Sequence, residues 1–501
     1  MTILTHDPRD GTSRDTDITP TPQADVRAAA DRAAAALRQL RDVGRAARAA
    51  ALRGIADALE ADRADLVACA MAETGLGEQR LTGEVNRSAF QFRMFADAIE
   101  EGSYLEAMID HAGDTPLGPA PDVRRMLVPL GPVAVFGSSN FPFAFSVAGG
   151  DTASALAAGN PVVVKAHSSH ILTSRATFDV IHRATVASGL PTDTFQIVYG
   201  QQAGVDLVRD PAITAVGYTG SLGAAQILIA AIGERETPIP FYGELSSVNP
   251  LIVTEAAARA RGAQIAQGLY TSVTGSAGQL CTKPGVAFVP RTDDAIVPEL
   301  VRLAAAAEPQ PLLNAKIHES LFRIQGDLIA SGGASALRAS EPVGPGLGAT
   351  PGVLEIDAST FTAAAAEEAF GPVVVVVRYD TLDELPAALD AVPDSLTATV
   401  HCEADEAAGL ADLVTHLQRR SGRVVFNGYP TGVRVCWAQH HGGPWPATNS
   451  QHTSVGVTAM RRFLRPIAWQ SAPAVLLPAE LRDDDASVPR RVDGVYQPAK
   501  N

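Results

Sequence analysis

Apolar positions recur at helical spacing through the first hundred residues and then change period. From Gln23 to Ala72 the chain is rich in Ala, Arg and Leu, and Ala47, Leu52, Ile55 and Leu59 mark one face of a helix. A second helical stretch runs from about Gly83 to Ile99, and Asp114-Thr115-Pro116-Leu117-Gly118-Pro119 breaks the chain. From Val123 onward, short apolar runs alternate with helical ones. Met126–Pro129, Val133–Phe136, Val162–Val164, Phe195–Val198 and Ile213–Val216 read as strands. Ser146–Ala158, Thr173–Ser188, Ala203–Arg209 and Leu222–Glu234 read as helices. A second alternating unit follows Glu244, with strands at Leu251–Val253, Val286–Val289, Val373–Arg378 and Arg423–Phe426 and a helix over Glu255–Thr274. Strands alternating with helices predict an α/β fold with parallel sheets covered on both faces. No repeat of 20–50 residues is present.

The length, 501 residues, suits about three domains of ~150 residues. Hydrophobic residues make up 46% of the chain but aromatics only 5%, so the cores must be built from Ala, Val and Leu. A net charge of −15 argues against a nucleic-acid partner, and the Arg residues from Arg27 to Arg63 read as a solvated helix face. No apolar run is long enough for a membrane span. Met1–Pro20 is polar, lacks the apolar centre of a signal peptide, and reads as a loose tail. The end after Pro473 also reads as flexible. Cys69, Cys281, Cys402 and Cys436 form no CxxC pair, so no zinc or redox motif is expected and a reducing cytoplasm suits the chain.

Cys281 stands apart because it follows the small-residue loop Thr274-Gly275-Ser276-Ala277-Gly278, where a substrate carbonyl can approach a sulfur closely. Asn140, in Gly137-Ser138-Ser139-Asn140-Phe141-Pro142, can offer an amide to an oxyanion. Glu244 ends an apolar strand, where a raised pKa would suit a general base. Lys165 ends the strand Val162–Val164, with His167 and Ser168 after it, at the place where such folds bind ligands. Gly220 and Ser221 open a helix whose amides could hold a phosphate. Glu368 and Phe370 lie in Glu367-Glu368-Ala369-Phe370-Gly371-Pro372. Each has a plainer reading: a small core cysteine, a helix cap, an ion-paired carboxylate, a surface lysine, an ordinary turn.

Taken together and in this order, these segments resemble the aldehyde dehydrogenase superfamily, from about Asp25 to about Gln470. Glu244-Leu245-Ser246-Ser247, Gly278-Gln279-Leu280-Cys281-Thr282-Lys283-Pro284-Gly285 and His441-Gly442-Gly443-Pro444 look like its α-ketoglutarate semialdehyde (2,5-dioxopentanoate) dehydrogenase branch, which also holds long-chain fatty aldehyde dehydrogenases. The resemblance implies a Rossmann-like cofactor domain, an α/β catalytic domain and a small β oligomerisation flap. The expected divisions are a tail over 1–22, N-terminal helices and cofactor domain over 23–245 with flap strands near 105–127, a catalytic domain over 246–445, and a return segment over 446–501. It implies that Cys281 is the nucleophile, Glu244 the general base and Asn140 the oxyanion donor. Lys165, His167, Ser168, Gly220, Ser221, Glu368 and Phe370 would then hold the dinucleotide, and no metal is called for.

The implied reaction is NAD(P)-dependent oxidation of a small aldehyde to a carboxylate through a thioester on Cys281, with 2,5-dioxopentanoate as the substrate and 2-oxoglutarate as the product. Ser168 stands where many NAD-preferring relatives have Glu, so NADP is expected, with NAD accepted. Ala225 stands where most have Gly, which puts one pyrophosphate contact in question. Lys283 and Arg434 are the cations expected for a substrate carboxylate. A long-chain fatty aldehyde enzyme would instead need a tunnel lined by residues such as Phe143, Phe145 and Trp437. A non-catalytic binding protein, and a cysteine hydrolase using His440 or His441, are the readings from other classes. A cytoplasmic homodimer or homotetramer, with no nucleic-acid or membrane partner, is expected.

Overall fold

The computed structural model describes residues 2–500. Two parallel sheets dominate it. The first has five strands, all parallel, in the order Phe241–Glu244, Ala215–Thr219, Val133–Phe136, Val162–Lys165, Phe195–Val198. Its central strands Val133–Phe136 and Val162–Lys165 are near-continuous apolar runs, as in a parallel sheet covered on both faces. Chain order reverses between Val133–Phe136 and Ala215–Thr219, and a parallel sheet opens a crevice at the carboxyl ends of such strands. The second sheet has seven strands. Six are parallel: Gly352–Asp357, Val373–Tyr379, Val286–Pro290, Leu251–Val253, Ser395–His401 and Ser421–Phe426. Ser335–Arg338 adds an antiparallel edge. A third sheet joins Ala107–Asp110 and Val123–Pro129 to the C-terminal strands Leu464–Gln470, Arg490–Val492 and Val495–Gln497.

The long helical region expected from Gln23 to Ala72 is three helices, Gln23–Leu40, Arg45–Ala61 and Arg63–Thr74, the last closed by Gly75 in the left-handed region. The next helix, Glu78–Glu101, begins before Gly83. The helix expected at Ser146 starts only at Gly150, since Phe141–Gly149 is occupied by turns. Both ends of the chain are more ordered than their composition suggested. Leu4–His6 pairs with Ser13–Asp15, and the buried Thr5 hydroxyl donates to Glu73 at 2.6 Å. Glu73 also accepts from the amides of Leu172 and Thr173, so one buried carboxylate ties the leading hairpin to a helix start. At the other end, Arg490 is buried and donates to the Arg482 carbonyl. The break at Asp114–Pro119 is a hairpin of Gly113–Thr115 with Gly118–Ala120. No helix among the described residues is long and apolar enough to cross a membrane.

Candidate active site

The carboxyl ends of the five-stranded sheet carry four of the singled-out positions. Asn140 follows Phe136, Lys165 ends its strand, Gly220 follows Thr219, and Glu244 ends the edge strand. The seven-stranded sheet contributes from the opposite direction. Cys281 lies just before Val286–Pro290, and Glu368 and Phe370 just before Val373–Tyr379. The site forms where these ends meet.

Backbone geometry holds the Cys281 loop. After helix Glu255–Thr274 the chain takes positive φ at Ser276, Ala277 and Gly278. At Gly278 a Cβ would sit 2.2 Å from the carbonyl of Gly371, so only glycine lets this loop pass the Gly371-Pro372 turn. Asn249 donates through Nδ2 to the carbonyls of Cys281 (2.8 Å) and Lys283 (3.0 Å), fixing the residues on either side of Thr282. Asn140 gives one of its two amide hydrogens to the Gln279 carbonyl at 2.9 Å. The second remains for a ligand.

Three reactive side chains converge. Cys281 Sγ lies 3.7 Å from His441 Nε2, and His441 Nε2 lies 2.8 Å from Glu244 Oε1. The ligating atoms of all three fall within 4.8 Å of one another. Ser454 donates to the other Glu244 oxygen at 2.9 Å, and the His441 amide is held by Thr453 at 2.8 Å. His441 Nδ1 is buried without a partner. A proton on Nε2 makes that nitrogen the donor toward the Glu244 carboxylate.

The electrostatics differ from the expectation for Glu244. Burial would raise its pKa, but the His441 imidazole beside it and hydrogen bonds from His441, Cys281 and Ser454 outweigh burial and bring it down to about 2. The predicted raised pKa is therefore wrong: Glu244 is an ionised carboxylate. The Cys281 thiol is pushed well above its usual value by burial, then by the Glu244 charge and hydrogen bond, with Glu368 adding to them and Arg87 opposing. At neutral pH a protonated thiol thus sits against an ionised carboxylate.

Helix Glu78–Glu101 presents a polar face to this centre that its sequence did not disclose. Arg80, Glu84, Arg87 and Gln91 are spaced four, three and four apart, which places them on one side of a helix. Glu84 is 2% exposed in its side chain and accepts from the amides of Phe143 and Ala144 at 2.8 and 3.0 Å. Arg80 bonds Glu84 (2.6 Å), the Asn140 carbonyl (2.8 Å) and Ser276 (2.7 Å). One ion pair therefore fixes the Asn140 loop and the Cys281 loop together. The sequence signal for this face is only polar residues at helical spacing in a helix that is polar on other faces too.

Phe141, Phe145, Val433, Val435 and Val455 form an apolar cluster beside the three reactive groups, with the Phe145 ring 6.2 Å from that of His441. The expected tunnel residues divide. Phe145 is there, Phe143 is fully buried in the main core, and Trp437 is 53% exposed. Of the two cations expected for a carboxylate, Lys283 is engaged elsewhere. Lys283 is buried and donates to the carbonyls of Ala369 (2.9 Å) and Val373 (2.8 Å), so it braces the Glu368 turn. Arg434 is exposed.

The residues expected to hold a dinucleotide fit one on two observations. Lys165 is largely buried with its pKa lowered to about 8 by burial alone, so no neighbouring charge answers it. Helix Leu222–Gly233 begins at Ser221 with no side-chain cap, which leaves its first amides for a pyrophosphate. His167 is turned inward: its Nδ1 accepts from the Ser169 amide at 3.1 Å and its ring stacks on His170. Ser168 is exposed, with no carboxylate in its place. Ala225 is fully buried in the core under the sheet, so its methyl is packed away from the helix start. Glu368 is raised to about 7 by burial, against the pull of Lys283, Ser246 and Ser247, and Phe370 is half-buried beyond it.

Known proteins were compared with this arrangement. The aldehyde dehydrogenase family model matches residues 3–444. The chain is 43% identical over 482 residues to an alpha-ketoglutaric semialdehyde dehydrogenase 2 of Azospirillum brasilense, covering 94% of this chain and 92% of that protein. It is 41% identical over 440 residues to an alpha-ketoglutaric semialdehyde dehydrogenase of Acinetobacter baylyi, covering 84% and 82%. Among solved structures, a 3,6-anhydro-L-galactose dehydrogenase superposes with a TM-score of 0.80 at 22% identity, over 94% of this chain and 96% of that one. A glyceraldehyde-3-phosphate dehydrogenase of Methanocaldococcus jannaschii, complexed with NADP, gives 0.79 at 18% identity, over 94% and 98%.

Proposed function

We propose, for a chain that belongs to the aldehyde dehydrogenase family, that it oxidises 2,5-dioxopentanoate to 2-oxoglutarate with NADP preferred and NAD accepted. The chain is an oxidoreductase acting on aldehydes, and its family works with NAD or NADP. The observation that carries the chemistry is the convergence of Cys281, Glu244 and His441 within 4.8 Å. Relatives at 41–43% identity support the substrate.

In this reading the Cys281 thiol gives its proton to solvent as the substrate carbonyl arrives, and the sulfur attacks the aldehyde carbon. The free Asn140 amide hydrogen and the Cys281 backbone amide face the oxygen that gains charge. A bound nicotinamide supplies the acceptor for the hydride that leaves the tetrahedral carbon. Cys281 then carries an acyl thioester. Glu244, held by His441 and Ser454, accepts a proton from water as that water attacks the acyl carbon, and the sulfur leaves as the thiolate. Four free thiols fit a cytoplasmic location. The third sheet leaves Val495 and Tyr496 exposed on an edge strand, which suits pairing with a second copy in a homo-oligomer.

The test is a comparison of initial rates with 2,5-dioxopentanoate and with a long-chain aldehyde, each with NADP and NAD. Faster kcat/KM on the dioxo acid is the expected result; preference for the long-chain aldehyde would overturn the substrate.

Cofactor choice has a pH signature. Lys165 loses its proton near pH 8 in the free protein, so the cation that would meet a ribose or phosphate is present below pH 8 and lost above it. NADP affinity, followed by fluorescence titration without substrate, is expected to weaken by up to about tenfold per unit above that pH. Lys165→Met should bind about 10–10²-fold more weakly at pH 7 and show no such slope.

A further inference from the structure

Among the described residues, Arg87 is the guanidinium near the site with two buried nitrogens that have no partner. It lies on the inner face of helix Glu78–Glu101, one turn past Glu84, with its guanidinium 5.1 Å from the centre of the Phe145 ring. Its Nε and Nη2 are both buried and neither has a partner. Buried donors without acceptors are rare and call for a reason. Burial lowers the pKa of this guanidinium, and the charges of Glu84, Cys281 and Glu244 pull it back up. Its charge in turn is one of the influences on the Cys281 thiol.

Its neighbours show that the vacancy is specific to this residue. Arg80, on the same face, spends all three nitrogens on Ser276, Glu84 and the Asn140 carbonyl. Arg423, the other half-buried arginine whose charge couples to Cys281, gives Nη1 and Nη2 to the carbonyls of Gly432 and Pro430 and keeps only Nε without a partner. Lys283 is committed to two carbonyls. Arg87 alone is left with two open donors in a wall otherwise made of Phe141, Phe145 and valines.

We infer that Arg87 anchors the distal carboxylate of the aldehyde substrate. Nε and a terminal nitrogen of one guanidinium form a fork that matches the two oxygens of a carboxylate. The Phe145 ring on which the guanidinium stacks also faces His441, whose Nε2 is 3.7 Å from Cys281 Sγ. Arg87 and the sulfur therefore bound the same small space. A five-carbon keto acid spans about 5 Å along its four carbon–carbon bonds. A molecule of that length does not call for the long apolar tunnel a fatty aldehyde needs. The inference rests on the reading of the substrate as an acidic aldehyde, and it adds which residue selects the acid.

The test separates the anchor from the identity of the acid. kcat/KM is measured for 2,5-dioxopentanoate, succinic semialdehyde and glutaric semialdehyde, and for the neutral aldehydes butanal and pentanal, in the wild type, Arg87→Met and Arg87→Lys. Glutarate serves as an unreactive competitor. The expected result is a wild type that favours acidic over neutral aldehydes. Arg87→Met should lose about 10²-fold on the acids, mostly in KM, and weaken glutarate inhibition in parallel. Its loss on the neutral aldehydes, where only the Arg87 charge near Cys281 is missing, should be at least about tenfold smaller than on the acids, and an unchanged urea midpoint shows that the variant is folded. Arg87→Lys keeps the charge without the fork and should fall between the two. Equal losses on acids and neutral aldehydes, or unchanged turnover of the acids, would overturn the anchor. A wild type that prefers another acidic semialdehyde to 2,5-dioxopentanoate, with the same loss in Arg87→Met, would overturn the proposed substrate and leave the anchor standing.

Discussion

Cys281→Ala is expected to lose turnover with every aldehyde, by on the order of 10⁴–10⁶ in kcat, while the protein stays folded and binds cofactor. The size follows from the chemistry: no other side chain at this point can hold the acyl group between oxidation and hydrolysis. The substitution removes one sulfur from a half-buried position, so the cost to stability at neutral pH is small. Paired measurements of steady-state rate and urea midpoint on one preparation check it. The raised thiol pKa adds a second readout. A group whose folded pKa lies above its unfolded value of about 9 favours the folded state below that pH and loses its contribution as pH rises past it. Wild type should therefore lose stability relative to Cys281→Ala above about pH 9. The same raised pKa makes wild-type kcat/KM climb from neutral pH upward, because proton transfer from the thiol comes before attack. A variant that kept more than about 1% of the activity would show that Cys281 does not carry the acyl group.

The parts of the site written into strand ends were legible before any coordinates. Asn140, Lys165, Gly220 and Glu244 all terminate or follow strands of one parallel sheet, and such a sheet gathers its carboxyl ends at one edge. Cys281 was legible for a different reason. The small residues before it are needed for the close pass at Gly371, and that need shows as a Gly/Ser/Ala run. Arg80, Glu84 and Arg87 were not legible, because polar residues spaced along a helix read first as a solvent face. Their inward direction is decided by the Phe143 and Ala144 amides, about sixty residues away. Lys283 shows the opposite failure. Proximity in sequence to Cys281 or to a loop says nothing about where a four-carbon stem points, and the backbone carbonyls of Ala369 and Val373 claimed the lysine.

The sign of the Glu244 pKa was lost for the same reason, and it sets the largest remaining effect. An isolated strand-end carboxylate in apolar surroundings should be raised. His441, 197 residues later in the chain, reverses that. A carboxylate lowered to about 2 is ionised throughout the working range, so its protonation does not limit the rate at neutral pH. Its contribution is position and charge, which glutamine removes at nearly constant volume. Glu244→Gln is therefore expected to pass the first half of the reaction and stall in the second. Rapid mixing should show a burst approaching one reduced cofactor per chain, followed by a steady rate about 10²–10⁴-fold below wild type. Mass spectrometry of the quenched protein should find the acyl group on Cys281. His441→Gln separates the two roles of the histidine. It keeps a donor toward Glu244 and removes the imidazole, so a burst with only a modest slowing of hydrolysis is the expected outcome if His441 acts by holding the carboxylate. A Glu244→Gln protein with no burst would place this carboxylate in thiol activation first. One with near wild-type steady turnover would remove it from the reaction.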